Sequence, residues 1–292
     1  MQAAHPEITK QLPDLLRDVL PRALVYYPVI VEMKQALANV EPPSSDGEFA
    51  RSGLYACWSD MKAIFELRAA TITLWETEGR PSPLSCYNLE CAKVLNRDKF
   101  RRCSACQTAA YCSQACQRVD WTDGHREDCR LHQEAPRAFP RAGLCHRDKL
   151  FIRMIVHMDY RRLRVLVTME MVRFMAENPD TPLVVNFDYT RGTPDISVFP
   201  ISTSNGSEIL SPYLRRLARA GGRLVAHTIR FGCGIPTFNV VWPLCAPTLE
   251  FNDGLKQIAR EAKGLEEAEL KSRVVKLTER TNRKDTEEGY YG

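Results

Sequence analysis

Apolar residues near the start of the chain recur at the three- and four-residue steps of a helix. Leu12, Leu15, Leu16, Val19 and Leu20 form one such set, with Pro21 and Pro28 punctuating the next stretch, and residues 29–38 predict a second short helix. Glu41 to Gly47 reads as a loop in which Asp46 is placed to cap the next helix. Trp58, Met61, Phe65, Arg68, Ile72 and Trp75 then continue the helical period until Gly79-Arg-Pro-Ser-Pro83 stops it. Packed antiparallel helices are the expectation for residues 1–83. No clean period of 30 to 45 residues repeats, as stacked helical repeats would require.

The pattern changes in the second half. Leu150 to Ala176 is long and mostly apolar, with Arg153, His157, Arg161, Arg164 and Thr168 spaced as one polar stripe of a helix that Asn178 to Pro182 ends. Leu183 to Thr190 and Ile196 to Phe199 read as strands of a hairpin turning through Arg191 to Pro194. Pro212 to Ala220 predicts a helix closed by Gly221-Gly222, followed by strands at Leu224 to Phe231 and Phe238 to Trp242. Helix, two strands, helix, two strands predicts an α+β domain with a small, largely antiparallel sheet over 149–250. A charged helix with a thin apolar stripe (Leu255, Ile258, Ala262, Leu265) is expected over 251–280, and a disordered tail over 281–292.

Between these regions the apolar pattern is replaced by metal-binding chemistry. Seven cysteines and one histidine fall in 44 residues, in the order Cys86, Cys91, Cys103, Cys106, Cys112, Cys116, His125, Cys129. Two tetrahedral structural zinc sites need eight ligands of these types, in close pairs. Cys103 and Cys106 have knuckle spacing, while Cys112/Cys116 and His125/Cys129 are each i,i+4 and share a helix face. Spacing alone leaves open which pairs combine. Eight ligands for two ions leave no open coordination position, so the metal is expected to be structural. Each closed site can supply about 10–16 kcal/mol of apparent folding free energy at neutral pH. A connector rich in Pro and Arg, 130–148, separates this module from the α+β domain.

The segment resembles the MYND zinc finger. The resemblance rests on Cys103-x2-Cys106, Tyr111-Cys112-x3-Cys116-Gln117, then Trp121, His125 and Cys129, and covers residues 86–129. The first pair, Cys86 and Cys91, is four residues apart where the commoner family pattern has two. The resemblance implies two zinc ions with interleaved ligands: Cys86, Cys91, Cys112 and Cys116 on one, Cys103, Cys106, His125 and Cys129 on the other. It also implies a protein-interaction adaptor that binds a short proline-containing peptide of a partner. In such fingers the peptide lies beside a short hairpin, here Lys99 to Arg102 with Ala109 to Tyr111, against Gln117 and Trp121. The mode is addition of an extended peptide to a strand edge with an aromatic platform.

Charge and composition refine this picture. The finger carries seven Lys/Arg and six Asp/Glu, and seven thiolates with two zinc ions bring it near −2, a poor match for a phosphate backbone. Residues 130–173 hold ten Lys/Arg and four acids, so a nucleic-acid-associated role would start there. No apolar run approaches the ~18 residues of a membrane span and the N-terminus has no signal-peptide core, so a soluble, intracellular protein is expected, nucleus or cytoplasm undecided. Cys57, Cys145, Cys233 and Cys245 are expected to be buried free thiols. No catalytic activity is expected. MYND fingers also occur inserted in SET-domain methyltransferases, but the Asn-His pair of their cofactor motif occurs nowhere. An enzyme site in 150–250 would draw on His157, Asp188, His227 and Cys233, where no familiar nucleophile motif is found.

Overall fold

The computed structural model describes residues 11–40, 47–77, 83–91, 93–134, 144–203, 207–232, 237–246 and 248–288. The predicted capping role of Asp46 and residues 79–82 of the predicted helix stop lie outside them. Residues 15–23 form a π-helical turn, Leu15–Val19, running into the short helix Leu20–Ala23. Helix α1 spans Tyr27–Ala38 and α2 spans Gly53–Thr77. Trp75, one of the residues that set the helical period in the sequence, lies in the core. Tyr27 packs edge-on to Trp75 at 5.3 Å, and Trp75 stacks on Phe151 of the long helix at 6.1 Å.

That long helix is α5, His146–Glu177, with α3 (Gln114–Asp120) and α4 (Arg126–Glu134) belonging to the cysteine-rich module. It starts four residues before Leu150, because Cys145 and Asp148 form a reciprocal capping box: Cys145 Sγ accepts from the Asp148 N–H and Asp148 Oδ2 accepts from the Cys145 N–H. Cys145 is therefore an exposed cap and not the buried thiol expected, whereas Cys57 is buried as expected. The Cys233 and Cys245 side chains lie outside the described residues. The connector also differs from expectation, since its first residues continue a helix to Glu134.

Strands β5 (Leu183–Arg191), β6 (Thr193–Pro200), β7 (Leu224–Gly232) and β8 (Thr237–Cys245) form one sheet in the order β6-β5-β7-β8. Its two outer pairings are antiparallel, but β5 and β7 run parallel, with Val184 opposite Ala226 and Phe187 opposite Ile229. The connection between them carries β6 and helix α6, Ser207–Arg219. Alternate residues of the strands face opposite ways. Val185, Phe187, Tyr189, Ile229 and Phe231 join the main core with α1, α2 and α5, while Val184, Ala226 and Val241 pack under Leu210 of α6.

A buried ion pair ties the first helices to this sheet. Arg68 of α2 meets Asp159 of α5 at 2.9 Å and donates to the Gly192 carbonyl, and Asp159 also accepts from the Tyr189 hydroxyl. Gly192 turns the β5–β6 hairpin with φ 89°, and a Cβ there would lie 2.5 Å from the Pro21 carbonyl oxygen. Glycine is needed for both reasons.

After the sheet, the sequence predicts a single helix over 251–280. The chain forms two, α7 (Glu250–Glu261) and α8 (Glu267–Glu288), separated where Gly264 takes φ 90°. Phe251, Leu255, Ile258, Leu270, Val274 and Leu277 fold both helices back onto the main core. Helix α8 extends through most of the stretch expected to be disordered, and Thr281 is buried, where it accepts from Arg164 at 2.8 Å. No helix among the described residues is long and apolar enough to cross a membrane.

Candidate metal centre

The cysteine-rich segment folds around two short antiparallel pairs, β1 (Pro83–Ser85) with β2 (Val94–Asn96) and β3 (Arg101–Arg102) with β4 (Ala110–Tyr111). The second is the hairpin expected from the sequence. Helix α3 (Gln114–Asp120) continues through a π-turn, Trp121–His125, into α4 (Arg126–Glu134). Local chemistry places each sulfur. The Cys86 N–H donates to the Lys93 carbonyl, the Cys91 N–H donates to the Asn88 carbonyl, and Asn88 Oδ1 accepts from the Glu90 N–H. This asparagine turn accommodates the four-residue spacing of the first pair. The Cys103–Cys106 knuckle closes through hydrogen bonds from Cys103 N to Ala109 O and from Gln107 N to Cys103 O, both 2.9 Å. Ser113 caps α3 by accepting from the Cys116 N–H, which fixes Cys116 in the first turn.

Two sets of four side chains converge. Cys86, Cys91, Cys112 and Cys116 form one and Cys103, Cys106, His125 and Cys129 the other, with all ligand atoms of each set within 4.8 Å of one another. Sulfur separations are 3.5 Å for Cys91–Cys112, 3.6 Å for Cys112–Cys116 and 3.8 Å for Cys103–Cys129, and Cys106 Sγ lies 3.8 Å from His125 Nε2. A regular tetrahedron with Zn–S bonds of about 2.3 Å has S···S edges of about 3.8 Å, so both clusters have the size a zinc ion requires.

The protonation chemistry agrees. Burial pushes the Cys86 thiol up and Cys129 to about 12, so without a cation these thiols would keep their protons. Burial also opposes ionisation of Cys103, but the N–H groups of Cys106 and Ala105 outweigh it and bring that thiol below its ordinary value. The Ser113 hydrogen bond draws Cys116 down to about 7. Burial, with the nearby Arg216 and Arg219, lowers His125 to about 4 and keeps it the neutral imidazole that a metal needs.

How this module is seated was not directly legible in the sequence. Helix α6 lies between the sheet and the finger, and its arginines face carboxylates of α3, the π-turn and α4. Arg215 meets Glu127 and approaches Asp128 at 3.6 Å. Arg216 is buried, lies over the Tyr87 ring at 3.4 Å, donates to the Tyr87 carbonyl and sits 3.9 Å from Asp120. Arg219 reaches Asp123 at 2.8 Å and Asp128 at 3.6 Å. Asp120 also accepts from the Tyr111 hydroxyl at 2.7 Å. Gly124, with φ 139°, permits the approach, since a Cβ there would lie 2.8 Å from the Arg219 guanidinium. The only signal in the chain was the Arg215/Arg216/Arg219 spacing, which reads equally well as a solvated face.

Of the proposed peptide contacts, Trp121 is 39% exposed with its ring 5.8 Å from that of His125, and Gln117 is half-buried on the preceding turn. Of the residues considered for catalysis, Cys233 lies outside the described residues, and Asp188 and His227 lie on opposite faces of the sheet. Asp188 pairs across the sheet with Arg230 and faces α6, while His227 lies on the opposite face against Tyr160, its Nδ1 donating to the Val225 carbonyl. The polar stripe of α5 is divided, with Arg164 buried over Phe251 and Arg153 exposed against Trp242.

A compact module with two interleaved Cys/His sites is a double-zinc finger. Residues 86–129 match the MYND finger family, a zinc-binding protein-interaction module that holds two zinc ions. An F-box protein of Arabidopsis thaliana is 44% identical over 45 residues, which cover 15% of this chain and 12% of that relative. The match is no longer than the finger, and the chain covers about an eighth of that relative. No solved structure matches the chain significantly.

Proposed function

We propose that this chain is a protein-interaction adaptor. Its finger would hold one zinc through Cys86, Cys91, Cys112 and Cys116 and a second through Cys103, Cys106, His125 and Cys129. A short proline-containing peptide of a partner would add to the edge of β3 and pack against Gln117 and Trp121. The observation that carries this reading is the exposure of Trp121 in a module whose other large aromatic ring of the motif, Tyr111, is fully buried. A core tryptophan would be covered; an exposed one beside a metal ligand is available as a platform. The zinc ions build the surface and take no part in a reaction.

The test is Trp121→Ala beside Gln117→Ala. Both variants should keep two zinc ions per chain by elemental analysis. Trp121→Ala should abolish capture of the partner peptide, and Gln117→Ala should weaken it by about one hydrogen bond, ~1 kcal/mol. Loss of zinc from Trp121→Ala with unchanged binding by Gln117→Ala would refute the assignment.

A further inference from the structure

We propose that the peptide-binding face of the finger selects an acidic partner, an extended segment whose prolines are flanked by Asp, Glu or phosphorylated residues. The inference rests on the peptide-binding reading and adds the chemistry of the partner. It comes from where the charges go. By composition the finger is nearly balanced, with seven Lys/Arg and six Asp/Glu. Four of those acids, Asp120, Asp123, Glu127 and Asp128, are turned toward Arg215, Arg216 and Arg219 of α6. Only Glu90 and Asp98 remain for the other faces, and Asp98 lies 3.4 Å from Lys99. The cations Lys93, Lys99, Arg101, Arg118 and Arg126 are exposed, as is Arg102, which donates to the Gln107 carbonyl. Docking on α6 therefore sorts a mixed-charge module into an inner acidic face and an outer basic one.

The basic face coincides with the proposed binding edge. Lys99, Arg101 and Arg102 lie on β3 and the turn leading into it. Arg101 pairs with Tyr111 on β4, and Tyr111 reaches Asp120, the neighbour of Trp121. A strand added along β3 would find donors for its backbone, a tryptophan for an apolar or proline side chain, and guanidinium groups on either side for carboxylates or phosphates. Because the metallated finger is near −2 in total, the attraction is local to this face and fades within about 10 Å at moderate salt. A single exposed tryptophan offers no series of stacked bases, so a peptide suits the surface better than a single-stranded nucleic acid does.

The experiment measures fluorescence anisotropy of the zinc-loaded full chain with three labelled probes. These are a peptide with a central Pro-Pro pair and flanking Glu residues, its Gln-flanked counterpart, and a mixed-sequence oligonucleotide. The Glu peptide should bind most tightly and lose affinity with added salt. Lys99→Glu/Arg101→Glu should weaken it about four- to twenty-five-fold, from about two- to fivefold per exposed charge, and weaken the Gln peptide several times less. Lys34→Glu/Lys62→Glu, the same change in net charge far from the finger, should leave both unchanged. Zinc content and circular dichroism confirm that each variant is folded. Equal binding of the two peptides would overturn the acidic preference while leaving peptide binding intact. Binding of neither peptide would overturn both readings, and preference for the oligonucleotide would assign the face to nucleic acid.

Discussion

His227 shows at the scale of one residue how burial sets a pH response. It lies under α5 with Nδ1 donating to Val225 O and no hydrogen-bond partner at Nε2 among the described residues, and burial lowers its pKa to about 4. The unfolded chain takes up this proton near the ordinary 6.5, so stability attributable to His227 is intact above that value and is lost as pH falls toward 4. The loss between pH 7 and 5 should be about 2 kcal/mol. Guanidinium unfolding at the two pH values should show it, and His227→Phe should remove that share of the pH dependence. A dependence unchanged in the variant would exclude His227 as its source. The metal ligands were legible at this scale because zinc coordination demands particular donors at short spacings, and these survive in one dimension. Cys145 was not legible as a cap, because a thiol before a helix reads no differently from a buried one.

At the scale of elements, α6 carries the largest departure from what the sequence predicts. Its apolar side was predictable from helical spacing. Its arginine side was not, because the partners of Arg215, Arg216 and Arg219 are about ninety residues away and helical periodicity says nothing about distant charges. Arg216→Ala should be the most damaging of the three changes. It removes the guanidinium over Tyr87 and leaves Asp120, whose carboxyl burial already pushes up, without its cation. The cost should be about 3–5 kcal/mol, as for other buried pairs deprived of one member. Thermal unfolding will measure it, and a loss below about 1 kcal/mol would mean that the finger holds α6 by other contacts. The parallel β5–β7 pairing was hidden for a related reason: alternation marks a strand and its faces but not its neighbour. The break between α7 and α8 was hidden because the apolar stripe runs on past Gly264 to Leu265, so nothing in the spacing marked it.

On the scale of the whole molecule, the first helices, the sheet and the last two helices share one core, with the finger attached through α6. Elemental analysis should give two zinc ions per chain. Cys103→Ser should lose one, and a single ion in the wild type would dismiss the first cluster with its unusual Cys86/Cys91 spacing. Chelation should unfold residues 86–129, which have little apolar core of their own, and leave the main core folded. Because Arg215, Arg216 and Arg219 lose their partners at the same moment, amide exchange should quicken along α6 as well. Protection of α6 that survives chelation would show that the sheet alone holds it.

The seat of the finger also bears on the order in which a ribosome delivers the pieces. All eight zinc ligands have left the exit tunnel long before Arg215 to Arg219 are synthesised. The nascent finger can therefore take up metal while Asp120 and Asp128, buried in the finished protein, still face water. Domains tend to fold in the order they emerge, so helix α6 would arrive at a surface already shaped by zinc and close over it last.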